Sequence, residues 1–499
     1  MRKKRLAKNT ISSLIFQVTT IVCGFILPRL ILLYYGSETN GLVNSITQFL
    51  SIISFLELGV GAVVQSSLYK PLSTNDSVEA SKIVKSANKF FRTLAKIMLV
   101  YVGGLILFFP FIGNQSYDFA YTATLILAMS ISSFAQYYFG IVNRLLLLAD
   151  QKGYIQYNVQ TVTLIANTTA CAVIISQGAS IQFVKLTTSL IYLIRPVLLQ
   201  IYVDRNYQID KKVEYKEEPI KQKWNGVAQH IAAVVLDGTD TIVLTVFSSF
   251  SNVSIYSVYH LVIYGVKQLF TSMTNGIQSL MGELWARQEL DELRNFFGWV
   301  EWSIHTGTVF IFSCTGALVV SFIGIYTNCV TDANYIQPLF AVLLVLANAV
   351  HCLRMPYNLM ILAGGHYKQT QNNYIVAAIM NITVSIILVK VAGLIGVAIG
   401  TLVAMLYQTV WMANYDSKNL ICWPLRKFMK QIIVDVLSVV CFSFCVRLLN
   451  LQAQNYLHWV YNAVEVVAVA VAITGVINWI FYRDKEKKLL SKIIKREEN

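Results

Sequence analysis

Asp237 and Asp240 stand three residues apart inside an apolar run, with His230 and Thr241 on the same helical face. Two carboxylates that close together in an apolar medium do not both stay charged unless a cation is near. A retained proton or a bound Na⁺ resolves the conflict, and so does an Arg or Lys from another segment. The pair is therefore a candidate ion-coupling site for H⁺ or Na⁺, with a buried, neutralised pair as the structural alternative. Downstream, Tyr256, His260, Tyr264, Lys267, Thr271, Thr274 and Gln278 recur at spacings of three and four, which makes one stripe along a helix. Lys267 lies too deep in its apolar run to reach headgroups easily and reads as a cavity cation. His351, Arg354 and Asn358 share a face beside Pro356, and a proline there interrupts the helix and frees backbone carbonyls. Arg29, next to Pro28, either lines the same kind of cavity or snorkels outward. Glu57 ends a face of Asn44, Thr47, Ser51 and Ser54 and precedes Gly61; a cavity role and a structural ion pair both stand as readings.

An ionisable group at mid-bilayer costs roughly 2.5–3.5 kcal/mol on insertion scales, so such groups face a partner or a wet cavity. Fixed cations at Arg29, Lys267 and Arg354, set against Glu57 and the aspartate pair, form an amphoteric lining. It suits a substrate carrying a phosphate or diphosphate and many hydroxyls. Arg144 and Arg195 lie nearer the ends of their runs and are expected to snorkel. Glu301 and His305, one turn apart, are expected to pair locally, and Gly396 with Gly400 forms a small-residue face that packs helices.

The elements that must hold these residues are membrane spans. Of 499 residues, 56% are hydrophobic and 13% charged, about half the charge of a soluble chain. The apolar blocks are long enough to cross a hydrocarbon core, which takes about 20 helical residues, and they lack the strict alternation of barrel strands. The sequence predicts an all-α polytopic membrane protein with about fourteen transmembrane helices. These fall near 10–35, 40–68, 93–112, 118–147, 154–177, 180–203, 225–249, 253–279, 297–325, 335–362, 370–390, 393–414, 428–449 and 456–482. Lys and Arg concentrate in the N-terminus, 69–92, 148–153, 204–224, 280–296, 363–369, 415–427 and the C-terminus, which the positive-inside rule places in the cytoplasm. The net charge of +14 is thus a topology signal rather than a nucleic-acid footprint. Lys82, Lys85, Lys89 and Arg92 share one face, either an interfacial helix on anionic headgroups or a solvated extension of the third span. The first block is too long for a signal core and reads as a retained span. The eight cysteines show no CxxC spacing and read as packing residues. No phosphate-binding glycine loop and no HExxH occurs, so neither ATP hydrolysis nor zinc peptidase chemistry is indicated and no cofactor is called for.

The chain repeats at an offset of about 214: Leu148-Ala149 falls on Leu362-Ala363, Asn167 on Asn381, Ile181 on Ile395 and Thr187 on Thr401. Two six-helix lobes follow, residues 1–203 and 225–414, joined by a cytoplasmic linker at 204–224. Spans thirteen and fourteen and a basic tail occupy 415–499. Six is even, so the repeat is parallel, and such halves take their substrate path between them.

Several stretches carry a family resemblance: Leu56-Glu57-Leu58-Gly59-Val60-Gly61 with Leu68-Tyr69-Lys70-Pro71-Leu72, then Ala149-Asp150-Gln151-Lys152-Gly153-Tyr154, Asp237-Gly238-Thr239-Asp240 and Ile255-Tyr256-Ser257. Over essentially its whole length the chain resembles the polysaccharide transporters that flip lipid-linked repeat units for O-antigen or capsule, within the multidrug/oligosaccharidyl-lipid/polysaccharide exporter superfamily. The resemblance implies a bacterial cytoplasmic-membrane flippase, not an enzyme. Its substrate would be an undecaprenyl-diphosphate-linked oligosaccharide, moved outward by a V-shaped pair of lobes that alternate access. Membrane lipids, and a polymerase and glycosyltransferases working alongside, are the implied partners. Drug-exporting relatives usually carry an acid in the first span, whereas the first acid here is Glu38. Lipid II flippases have an arginine-rich cavity that Arg29, Lys267 and Arg354 echo in part. A cation-coupled drug or metabolite antiporter and a lipid II flippase remain the alternatives. A membrane-embedded polymerase fits less well, because every outer segment is about ten residues or shorter.

Overall fold

A computed structural model describes residues 2–112, 117–210, 212–220, 227–272, 275–449 and 451–497, and every regular element among them is helical. In chain order these are α1 (Arg2–Ser51), α2 (Ser54–Ser73), α3 (Ser77–Phe108), α4 (Phe119–Ala135), α5 (Ile141–Ala149), α6 (Gly153–Ser176), α7 (Ile181–Asn206), α8 (Val227–Phe247), α9 (Phe250–Ser272) and α10 (Asn275–Ala286). They continue with α11 (Leu290–Tyr326), α12 (Pro338–Leu353), α13 (Met355–Ala363), α14 (Tyr367–Ala392), α15 (Leu394–Asn419), α16 (Leu425–Val446) and α17 (Tyr456–Glu497). Among the described residues, eleven helices are long and apolar enough to cross a membrane. The others fit the same plan. α1 breaks at Gly36, whose φ of 81° is open to glycine and strained for other residues. Its second arm continues into α2, and α8 and α9 follow. The result is compatible with fourteen crossings.

Local chemistry explains the boundaries. Asp76 caps α3, its carboxylate accepting from the Glu79 N–H at 3.0 Å, a first-turn partner for an otherwise orphaned donor. The basic segment at 82–92 is therefore the opening of one continuous helix, α3, not a separate interfacial one. Pro338 starts α12, where its missing N–H is harmless. Pro356 falls at the start of α13 and separates it from α12 at Arg354, as the sequence predicts. In the first half a short π-helical turn, Gln136–Gly140, separates α4 from α5 at the matching place.

The helix boundaries repeat at the same offset of about 214. α5 matches α13, α6 matches α14 and α7 matches α15 within two residues, which is how a parallel duplication should look. The chain forms two compact units, Met1–Ser254 and Ile255–Asn499. The described part of segment 204–224 is folded onto α3 of the first unit. The Lys85 ammonium donates to the Val213 carbonyl at 2.6 Å, the Asp210 N–H donates to the Ser81 hydroxyl at 2.9 Å, and Ser86 donates to Glu218.

Within each unit the charge-rich segments meet one another. In the first, Asn9 bonds both the Gln151 carbonyl and the Tyr154 N–H, Arg5 approaches Asp150 at 3.6 Å, and Tyr207 donates to Asp150 at 2.6 Å. Burial, and then that carboxylate, push the Tyr207 hydroxyl above the ordinary phenol range. In the second, Arg294 donates to the Ile421 carbonyl and Lys485 to the Gly298 carbonyl, and His366 bonds Tyr415. The poorly charged turns gather similarly, with Tyr35 donating to the Ala179 carbonyl and Thr39 bonded to Tyr117. Many outward faces are apolar, such as Val100, Phe111, Val391 and Leu457, as hydrocarbon solvent requires.

Candidate functional site

In the second unit α9 carries a ladder. Tyr256 stacks on His260 at 5.5 Å between ring centroids, His260 stacks on Tyr264 at 4.9 Å, and the Lys267 ammonium lies 4.8 Å from the centre of the Tyr264 ring. The spacings of three and four found in the sequence are what place these four side chains one above another. Lys267 is buried, with 6% of its surface exposed.

The ladder runs toward the break between α12 and α13. Lys267 and Arg354 both lie within electrostatic reach of His351 and of the buried Cys352. Arg354 contacts the His351 ring nitrogen Nδ1 at 3.3 Å and donates through Nη1 to Gln408 of α15. Its guanidinium also sits 5.9 Å from the Tyr374 ring of α14, whose hydroxyl donates to Asn358 at 2.5 Å. Two donors stay without a partner among the described residues: Arg354 Nε and Gln408 Nε2 are both buried and make no hydrogen bond. Buried donors left unmet cost about 1–3 kcal/mol each, and an acceptor-rich ligand removes that cost. Tyr374 and Gln408 were not singled out from the sequence. Gln408 carried a signal, an amide in an apolar run, whereas Tyr374 was indistinguishable from a core aromatic.

The first unit holds the other candidates. Glu57, 7% exposed, is ion-paired to Arg144 of α5, with the buried Tyr137 beside it. Arg144 thus turns inward rather than snorkelling. Arg195 also bonds sideways, donating to Thr163 at 2.7 Å and lying 3.6 Å from the Tyr192 ring centre. Around Glu57 the polar face satisfies itself: Asn44, Thr47 and Ser51 each donate to a carbonyl one turn back on α1. Arg29 is half-buried on α1 and Asp240 is buried on α8. The side chains of Asp237 and His230, and residue Thr274, lie outside the described residues.

A further polar network occupies the second unit where the sequence predicts only a local Glu301–His305 pair. Each of the two makes its hydrogen bonds elsewhere. His305 bonds Asp435 of α16 at 2.6 Å, and Gln431 donates to the other oxygen of that aspartate. Glu301 accepts from the Tyr357 hydroxyl at 2.7 Å and the Trp423 indole at 2.9 Å. Asp416 of α15 is fully buried, and neither carboxylate oxygen has a hydrogen-bond partner among the described residues. The overlooked signal was Asp435, an acid inside the thirteenth apolar block.

No family profile and no curated protein sequence matches the chain. Its fold does match solved structures. It is similar to a structure of the lipid II flippase MurJ in an inward closed conformation, at a TM-score of 0.70 and 12% identity, covering 95% of this chain and 99% of that one. It is also similar to a structure of the MATE multidrug transporter DinF-BH, at 0.61 and 15%, covering 83% and 95%. An inward-facing multidrug resistance MATE family transporter of the MOP superfamily gives 0.58 and 14%, covering 83% and 98%. At these identities the likeness is one of fold: the chain is an all-α, multi-pass molecule built on the same plan as these transporters.

Proposed function

We propose that the chain is a flippase for a lipid-linked oligosaccharide joined through a diphosphate, of the undecaprenyl type, serving surface polysaccharide assembly by alternating access. The carrying observation is the pair of buried donors in the second unit, Arg354 Nε and Gln408 Nε2, that lack partners among the described residues, with the buried Lys267 within electrostatic reach of His351 beside Arg354. Such donors match the oxygens of a diphosphate. The stacked rings of Tyr256, His260 and Tyr264 offer flat faces with polar tips, and Asn358 and Tyr374 offer hydrogen bonds, which suits sugars. A membrane potential negative inside drives an anion outward by roughly 2.3 kcal/mol per charge per 100 mV. Exchange of H⁺ or Na⁺ at Asp237 and Asp240 would add to that drive. Transport that ignores both a pH and a Na⁺ gradient removes the aspartate role.

A second reading, lipid II itself as cargo, draws on the likeness to MurJ, which extends over 95% of this chain, against 83% for the two MATE transporters. A drug or metabolite antiporter draws on those MATE structures and is separated by sensitivity to toxic cations on deletion. The decisive measurement is a leaflet-specific assay of lipid-linked oligosaccharide and of lipid II in vesicles holding the purified chain. Lys267→Ala and Arg354→Ala should each lose ~1.5–3 kcal/mol of charge-assisted bonding, a roughly 10–100-fold slower translocation. Wild-type rates in both variants would remove the site.

A further inference from the structure

At the charge-rich end of the second unit, α11, α16 and α17 enclose a cavity of about 640 Å³ lined by Arg294, Lys427, Lys430 and Lys485. Among the described residues Glu301 is the one acid in that lining, and its Oε1 already accepts from Tyr357 and Trp423. Four cations against one carboxylate leave an excess of three. Counting Asp291, which approaches Arg294 at 3.1 Å from the exposed face, still leaves two. The comparable cavity of the first unit, about 810 Å³, sets Lys85, Lys89, Arg92 and Lys96 against Asp204, Asp210 and Glu214, an excess of one. The second unit therefore concentrates like charge with only partial internal compensation.

The four cations are held in place. Lys430 donates to the Phe481 carbonyl at 3.0 Å, Lys485 to the Gly298 carbonyl at 2.6 Å and Arg294 to the Ile421 carbonyl at 2.9 Å. Lys427 lies 4.1 Å from the Trp423 ring centre and Lys430 4.5 Å from that of Tyr482, while Lys485 is within 5.7 Å of Trp299 and Trp302. An ammonium has three N–H donors, so Lys430 and Lys485 each keep two beyond their carbonyl bond. Aromatic side chains around fixed cations are the composition of a membrane interface. Within two turns of the lining residues Lys430 and Tyr482, α16 and α17 expose the apolar Ile433, Val436, Val476 and Ile480.

We propose that this cavity binds the phosphate of an anionic bilayer lipid, its acyl chains lying along those exposed faces. The proposal rests on this cavity alone and involves none of the residues assigned to the translocated substrate. It is tested with the full chain exchanged into nanodiscs of phosphatidylcholine doped with phosphatidylglycerol, counting retained lipid by native mass spectrometry. Wild type should retain one phosphatidylglycerol preferentially. Lys427→Gln/Lys430→Gln should weaken that retention about tenfold, Lys427→Arg/Lys430→Arg should keep it, and Lys89→Gln/Lys96→Gln in the first unit should leave it unchanged. Equal retention by wild type and the glutamine variant overturns the site. Displacement by millimolar inorganic phosphate or diphosphate overturns the lipid assignment and makes the ligand a soluble anion.

Discussion

Glu57 and Arg144 are each tolerable at depth because of the other. The pair is partly screened, with side-chain exposures of 9% and 24%, so its worth lies between that of a surface bridge and a buried one. Glu57→Ala should lower stability by ~1–3 kcal/mol, because it leaves the Arg144 guanidinium without its counter-charge, and adding Arg144→Gln should restore part of the loss. Thermal unfolding in detergent reads this directly; additive losses in the double variant would show that the two side chains are not coupled. Arg354 differs in its partners: Nη1 and Nη2 meet Gln408 and His351 rather than a carboxylate, while its Nε, like that of Arg144, has no hydrogen-bond partner among the described residues, so Arg354→Ala is expected to affect translocation more than folding.

Two helical devices determine where these side chains point. The first is the matched break in each half, a π-helical turn before α5 and a proline in the first turn of α13. Such breaks re-aim side chains and recur at functional positions; here they bring Arg144 to Glu57 and Arg354 to Gln408. The second is the glycine seam between α14 and α15. A Cβ on Gly396 would collide with the Leu388 backbone, and one on Gly400 with Ser385. Gly400→Ala should therefore destabilise the second unit by ~1–3 kcal/mol of overpacking, seen as a lower unfolding midpoint in detergent. An unchanged midpoint would mean that the seam is looser than it looks.

Across the whole molecule the free cysteines give a topology test that needs no engineering. Cys422, exposed, precedes α16 at the charge-rich end, and Cys329, exposed, follows α11 beyond the opposite end. A helix the length of α11 rises ~55 Å, well past the ~30 Å hydrocarbon core. With the charge-rich end in the cytoplasm, a membrane-impermeant maleimide should label Cys329 in intact cells and reach Cys422 only after permeabilisation. The reverse pattern would invert the orientation drawn from the basic loops.

Amphipathic spacing and hydropathy act along the chain, and what depends on them was legible in the sequence. That includes the all-helical spanning architecture, the duplication, the break at Pro356 and the stripe from Tyr256 to Lys267, whose members share a face by helical period alone. Within each unit, basic segments also contact other charge-rich segments, as the alternation of spans requires. What the sequence left open was the choice of partner. Glu57 had two readings until α5 brought Arg144 to it. His305 had Glu301 one turn away and bonded Asp435 from another helix, and Gln408 and Tyr374 reached Arg354 from helices distant in sequence. In a low-dielectric interior a polar group takes whichever neighbour the packing delivers, and only the tertiary arrangement of helices decides which neighbour that is.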